Sequence, residues 1–171
     1  MGLREATAEL HSKAEKMEFN QRMFRGELST EEYAKYLYQQ LIIFEAIEAK
    51  QLPHPSLARV DKVKEDLLEL KSDEIEYLPT AFEYSEYLSS LTQEELLPHV
   101  YLNYLALAYG GQMMKTKVPG SGKMYDFENM HVSVGSIRAT QKDEWADEVN
   151  KGFQFIINIA DELQNATGSN S

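Results

Sequence analysis

Residues 92–115 read TQEELLPHVYLNYLALAYGGQMMK, and this stretch decides the fold class. Thr92 followed by Glu95 is a capping box, a paired signal that starts a helix. A long apolar run follows, and Gly110 and Gly111 stand side by side within it. Each glycine in a helix interior costs about 0.5–1 kcal/mol relative to alanine. Either the helix ends here, as many do at a glycine C-cap, or its backbone must lie closer to something than a Cβ would permit. The glycines are followed by Gln112, Met113, Met114 and Lys115, good helix formers with no immediate proline, so a bend against a flat ligand is the second reading. On the residues alone the cap is the commoner of the two.

The same helical periodicity extends outward in both directions. Leu3, Leu10, Ala14 and Met17 follow it across a first helix. Ser29 with Glu32 forms another capping box, opening a helix that carries Tyr33, Leu37, Leu41, Phe44 and Ile47. Pro53 and Pro55 break that helix. Shorter helices are expected over 57–71 and 80–91, a flexible turn over 118–123, and a long amphipathic helix over 141–164. No repeat, strand-like alternation or long linker interrupts the pattern. The expected architecture is all-α: one compact multi-helix domain over residues 1–164, with a flexible polar tail over 165–171.

Composition narrows the function. The 171 residues are 43% hydrophobic and 26% charged, with a formal net charge of −11. A broad surface for nucleic acid or anionic membrane is therefore not expected. Cysteine is absent, which removes disulfides, iron–sulfur clusters and thiolate chemistry. Neither a signal peptide nor a myristoylation pattern opens the chain, and no run approaches 18 apolar residues, so a soluble cytoplasmic or organellar location is expected.

Four histidines remain: His11, His54, His99 and His131. No H-E-x-x-H pair accompanies them, so a multi-ligand metal cage has little support. His11 lies at the edge of the first helix's apolar face with Glu15 one turn on, close enough to hold one ring nitrogen. A metal-ligating histidine usually has its second nitrogen held by such an acceptor. A half-buried histidine with a helical charge partner is the plainer alternative. Around the glycines, Tyr101, Tyr104, Tyr109, Met113 and Met114 suit a core or a pocket. Lys115, Lys117 and Lys123 suit a solvated helix end or an anion contact.

Two segments together resemble the haem oxygenase family. LREATAELHSKAE, over residues 3–15, is similar to that family's N-terminal helix. HVYLNYLALAYGGQMMK, over 99–115, is similar to its distal helix, matching at the histidine, two tyrosines, the double glycine and the glutamine. GFQFIINIADELQ, over 152–164, resembles its final helix more loosely. The resemblance implies haem b sandwiched between a proximal N-terminal helix and a kinked distal helix. It implies His11 as the iron ligand, with Glu15 holding its other nitrogen. Gly110 and Gly111 would let the distal helix approach the porphyrin, and Tyr101 would join the distal polar network. Arg4 would serve the propionates, together with His131 or Arg138 on the penultimate helix.

The implied reaction opens haem with O2 to biliverdin, by family default the alpha isomer, releasing carbon monoxide and ferrous iron. No flavin or nicotinamide fingerprint is present, so electrons are expected from reduced ferredoxin. Lys13, Lys16, Arg22, Arg25 and the Lys115–Lys123 group are candidate docking cations. One departure stands out: the family's distal aspartate is replaced by Leu107. Asn103, one turn earlier on the same face, is the candidate to anchor catalytic water instead. The alternative is a carrier or sensor of the same fold that binds haem without cleaving it.

Overall fold

A computed structural model describes residues 1–168, with side chains for residues 1–166. Nine α-helices are present among these: α1 Leu3–Ala6, α2 Ala8–Glu15, α3 Glu18–Phe24, α4 Thr30–Glu48, α5 Val60–Glu69, α6 Pro79–Ser89, α7 Gln93–Lys115, α8 Met130–Arg138 and α9 Ala146–Gly168. Short 3-10 turns occur at Pro55–Leu57, Lys123–Tyr125 and Asp143–Trp145, and the described residues include no strand. The all-α expectation holds.

Both capping boxes form. The Ser29 hydroxyl accepts from the Glu32 amide at 3.1 Å, and the Glu32 carboxylate accepts from the Ser29 amide at 2.9 Å. Thr92 and Glu95 repeat the exchange at 3.2 and 2.9 Å. These starts place α4 and α7, which carry much of the core. Tyr33, Leu37, Phe44 and Ile47 of α4 meet Val100, Tyr104 and Leu107 of α7 in one buried cluster, with Tyr84 and Leu88 of α6. The final helix α9 packs against α2, α3, α6 and α7. A second, smaller apolar cluster joins Leu3 and Ala14 near the N-terminus to Leu102 of α7 and Val149, Phe153 and Ile157 of α9.

Three expectations need correction. The first helix is not continuous: it breaks at Thr7, where φ −110° and ψ 2° leave the helical region. The Thr7 hydroxyl donates to the Leu3 carbonyl at 2.9 Å, the local competition that makes threonine a weak helix-interior residue. The glycine pair does not end its helix, because α7 runs through both residues to Lys115. Pro98 also stands inside this helix, with no N–H to offer the Glu94 carbonyl. Finally, α9 continues to Gly168, past the boundary expected at 164. Residues 169–171 of the expected tail lie outside the described residues.

Candidate functional site

The two glycines of α7 face different surroundings. A Cβ built on Gly111 would meet the Tyr125 ring 3.0 Å away, and Tyr125 is itself buried. Gly111 is therefore a packing residue that lets the Lys123–Tyr125 turn press against the helix. A Cβ on Gly110 would meet nothing within 4 Å. Gly110 belongs to an open stripe on one face of α7 with Ala106, Tyr109 and Met113, at helical spacing. Tyr109 and Met113 are 63% and 69% exposed, large apolar side chains left in water beside a backbone without a side chain. An exposed apolar patch of this kind marks a binding groove more often than a bare surface.

Beside this stripe runs a cleft of about 180 Å³. Asn103, Ala106 and Leu107 of α7 line it, opposite Asn20 and Met23 of α3 and Ile156 of α9. One turn along α9 from Ile156 is Phe153, and on its ring lies His11, stacked at 5.4 Å and 19°. Phe153 belongs to the smaller apolar cluster with Leu102, which also lines the cleft, so the His11 ring rests on that cluster.

His11 has the features asked of a ligand. Its side chain is 56% exposed, and Nε2 lies 2.9 Å from the Glu15 carboxylate. The helix spacing read from sequence therefore produces the expected partner, with the other ring nitrogen open. No cluster of three or more His, Asp or Glu side chains suited to a metal occurs among the described residues. A lone exposed histidine with one ring nitrogen held by a carboxylate suits a metal that brings its remaining ligands with it, as in a flat macrocycle. The missing Cβ at Gly110 leaves room for such a group.

The remaining candidate residues separate into engaged and free. Tyr101 is half-buried and meets Trp145 edge-on at 6.3 Å, in the wall behind α1 and α2. Asn103 is buried, and its amide nitrogen donates to Tyr84 Oη at 3.1 Å and to the His99 carbonyl at 2.9 Å. Leu107 is 5% exposed and leaves its part of the cleft without a polar atom. Arg4 is exposed on α1. His131 and Arg138 both belong to α8 and are both exposed. Arg138 reaches Tyr109 of the open stripe, donating to its hydroxyl at 3.2 Å with the guanidinium 5.5 Å from the ring centre. His131 makes no such contact.

Among the basic residues, Arg22 is paired with Glu32, Arg25 with Glu18 and Glu27, and Lys115 with Asp126. Lys13, Lys16 and Lys117 are exposed and carry no ion pair among the described residues. Sequence reading missed the connection behind Asn103. Tyr84 also touches His99, and His99 touches Glu148, from three helices with no common sequence pattern.

Comparison with known proteins agrees with the all-α fold. The family model described as "Heme oxygenase" matches residues 1–162. The structure superposes on heme oxygenase-1 from the cyanobacterium Synechocystis, solved in complex with heme, with a TM-score of 0.81 and 22% identity, covering 97% of this chain and 94% of that one. Heme oxygenase from Leptospira interrogans gives a TM-score of 0.80 at 22% identity, covering 95% of this chain and 100% of that one. Among curated sequences, heme oxygenase 2 of Macaca fascicularis is 23% identical over 96% of this chain; the match spans 65% of that relative's length. The chain belongs to the haem oxygenase family. No helix among the described residues is long and apolar enough to cross a membrane.

Proposed function

We propose that this chain binds haem b between α2 and α7 and opens the ring with O2 to biliverdin, the alpha isomer, releasing carbon monoxide and ferrous iron. One observation carries the reading. The exposed His11, held by Glu15, stacks on Phe153 one turn along α9 from Ile156, which lines the cleft with Ala106 and Leu107 of α7, and Gly110 leaves the adjoining face of α7 open. When bound, haem supplies the iron that activates oxygen and the ring that is attacked. The protein supplies the rest. His11 ligates iron through the nitrogen that Glu15 does not hold, and the acceptor keeps the imidazole oriented. Gly110 and Ala106 admit the ring face, and Tyr109 and Met113 cover apolar surface that is otherwise wet. Arg138, already at the rim through Tyr109, and Arg4 on α1 meet the propionates; His131 is the weaker candidate because it contacts nothing at the rim.

Electrons come from reduced ferredoxin in this reading. An acidic donor docks on a protein of net charge −11 only at a local basic face. Lys13, Lys16 and Lys117 provide the charges not already engaged, whereas Arg22, Arg25 and Lys115 are held by carboxylates. Reversing Lys13 and Lys16 should slow ferredoxin-driven turnover and leave turnover with a small chemical reductant unchanged. Equal slowing with both reductants would remove the docking role.

A second reading, a haem carrier or sensor that does not cleave its ligand, is favoured by Leu107, which lines the cleft with a hydrocarbon where the best-known distal motif of the family has an aspartate, though plant-type members also lack it. Distal polarity decides whether bound oxygen is held or activated. Optical spectra of the haem complex with ferredoxin, its reductase and oxygen separate the two. Loss of the Soret band with growth of a biliverdin band supports cleavage, and a stable oxygen complex supports the carrier.

A further inference from the structure

Behind the cleft, four side chains from three helices form one chain of hydrogen bonds, and its direction can be worked out. Asn103 Nδ2 lies 2.9 Å from the His99 carbonyl, which can only accept, so the amide nitrogen must occupy that place. The same nitrogen lies 3.1 Å from Tyr84 Oη, so the phenol accepts from it. Tyr84 then donates its own proton to His99 Nδ1 at 2.7 Å. His99 must therefore carry its proton on Nε2, which donates to Glu148 Oε1 at 2.9 Å. Tyr87 donates to the same carboxylate oxygen. Burial holds the His99 imidazole below its ordinary pKa, and so neutral. Burial pushes the Glu148 carboxyl up, but the Tyr87 and His99 hydrogen bonds prevail and leave it below the ordinary value.

The arrangement depends on close packing. His99 is 0% exposed, and α9 passes it at Gly152, where a Cβ would stand 2.4 Å from Leu102 and 3.2 Å from both His99 Nδ1 and Tyr84 Oη. Every donor in the chain points away from the cleft, toward a carboxylate that is 33% exposed. The Asn103 carbonyl oxygen is the end left over. It has no protein donor, and Asn103 lines the cleft beside Leu107. Hydrogen bonds linked in this way polarise one another, by about 10–30% per bond, so donation by the amide nitrogen makes its carbonyl a stronger acceptor.

We infer that Tyr84, His99 and Glu148 are positioning residues that hold and polarise the Asn103 amide, making its carbonyl a hydrogen-bond acceptor on the α7 wall of the cleft, where Leu107 offers none. The ligand it serves is a water molecule at the haem iron, whose O–H donates to that oxygen. In this respect the inference rests on the haem reading, whereas the orientation of the amide does not.

The test has two arms. In the ligand-free, 15N-labelled protein at pH 7, His99 should show a protonated Nε2 and an unprotonated Nδ1. Both Asn103 amide protons should exchange slowly, and Tyr84→Phe should speed exchange of one of them by tenfold or more. A His99 protonated on Nδ1, or on both nitrogens, would overturn the orientation. In the ferrous haem complex with carbon monoxide, a nearby acceptor raises the C–O stretch by opposing electron donation into the ligand. Asn103→Leu should therefore lower that frequency. Tyr84→Phe, and Glu148→Gln at the more exposed end should the buried variant not fold, should lower it in the same direction by less. A stretch unmoved by Asn103→Leu would remove the acceptor, and one moved only by Asn103→Leu would remove the positioning role. If native protein takes up no haem, the functional reading fails, while the first arm still decides the amide.

Discussion

Gly110 and Gly111 are neighbours in one helix, share the same backbone conformation and sit on opposite sides of a boundary. Gly111 faces inward, where Tyr125 occupies the volume that a side chain would need. Gly110 faces outward, with open space above it and exposed Tyr109 and Met113 on either side. Gly111 serves the fold, and in the proposed reading Gly110 serves the ligand. Adjacent helix positions point about 100° apart, so one dipeptide can meet both demands at once. The contrast also separates the two explanations of a glycine-rich stretch: neither residue is a cap, and only one of them faces the groove.

The most severe way to probe the outer face is to remove its opposite partner. His11→Ala should abolish the imidazole-ligated absorption spectrum of the haem complex, and survival of that spectrum would place the ligand elsewhere. Gly110→Leu comes next. Nothing in the protein obstructs the new side chain, so thermal stability should hold or rise by about 0.5–1 kcal/mol from helix propensity. Haem affinity should fall roughly a hundredfold, equivalent to about 2–3 kcal/mol of overpacking in the slot. Gly111→Val should do the reverse: chemical denaturation should show a loss of about 2 kcal/mol as Tyr125 is displaced, with a smaller effect on haem uptake by the protein that remains folded. Similar responses from the two variants would dissolve the comparison.

Smaller effects belong to polar contacts on each side of the boundary. Arg22 hydrogen-bonds Glu32 and pulls its carboxyl down from 4.5 to about 2. Because the folded value is the lower one, the stability this pair contributes is fully present above pH 4.5 and is lost as pH falls through about 2. Acid titration of unfolding should show about 2 kcal/mol of this dependence, and Glu32→Gln should remove it. At the groove's rim, Arg138→Ala should weaken haem binding about fivefold, since an exposed ion pair contributes up to about 1 kcal/mol. His131→Ala should change the affinity less, and the opposite order would reassign the propionate contact.

Much of this molecule is legible in one dimension because it depends on helix periodicity. The capping boxes at Ser29 and Thr92, the His11–Glu15 pair and the apolar stripe of α9 all involve residues three or four apart, which a helix brings together wherever it lies. The break at Thr7 was not legible, because its hydroxyl's hydrogen bond to Leu3 competes with helix continuity too evenly for periodicity to decide. The extension of α9 beyond residue 164 was hidden by a polar composition that suits a helix end and a coil alike.

Local spacing thus settled the helical class and the His11–Glu15 pair, and the family resemblance made His11 the ligand candidate. Packing decided which glycine faces the groove, which basic residue reaches its rim and how Asn103 is oriented. Those outcomes depend on Tyr125, Tyr109, Tyr84, His99 and Glu148, which approach from different helices. No periodicity encodes contacts between such distant positions, since they exist only once apolar burial has brought the helices together.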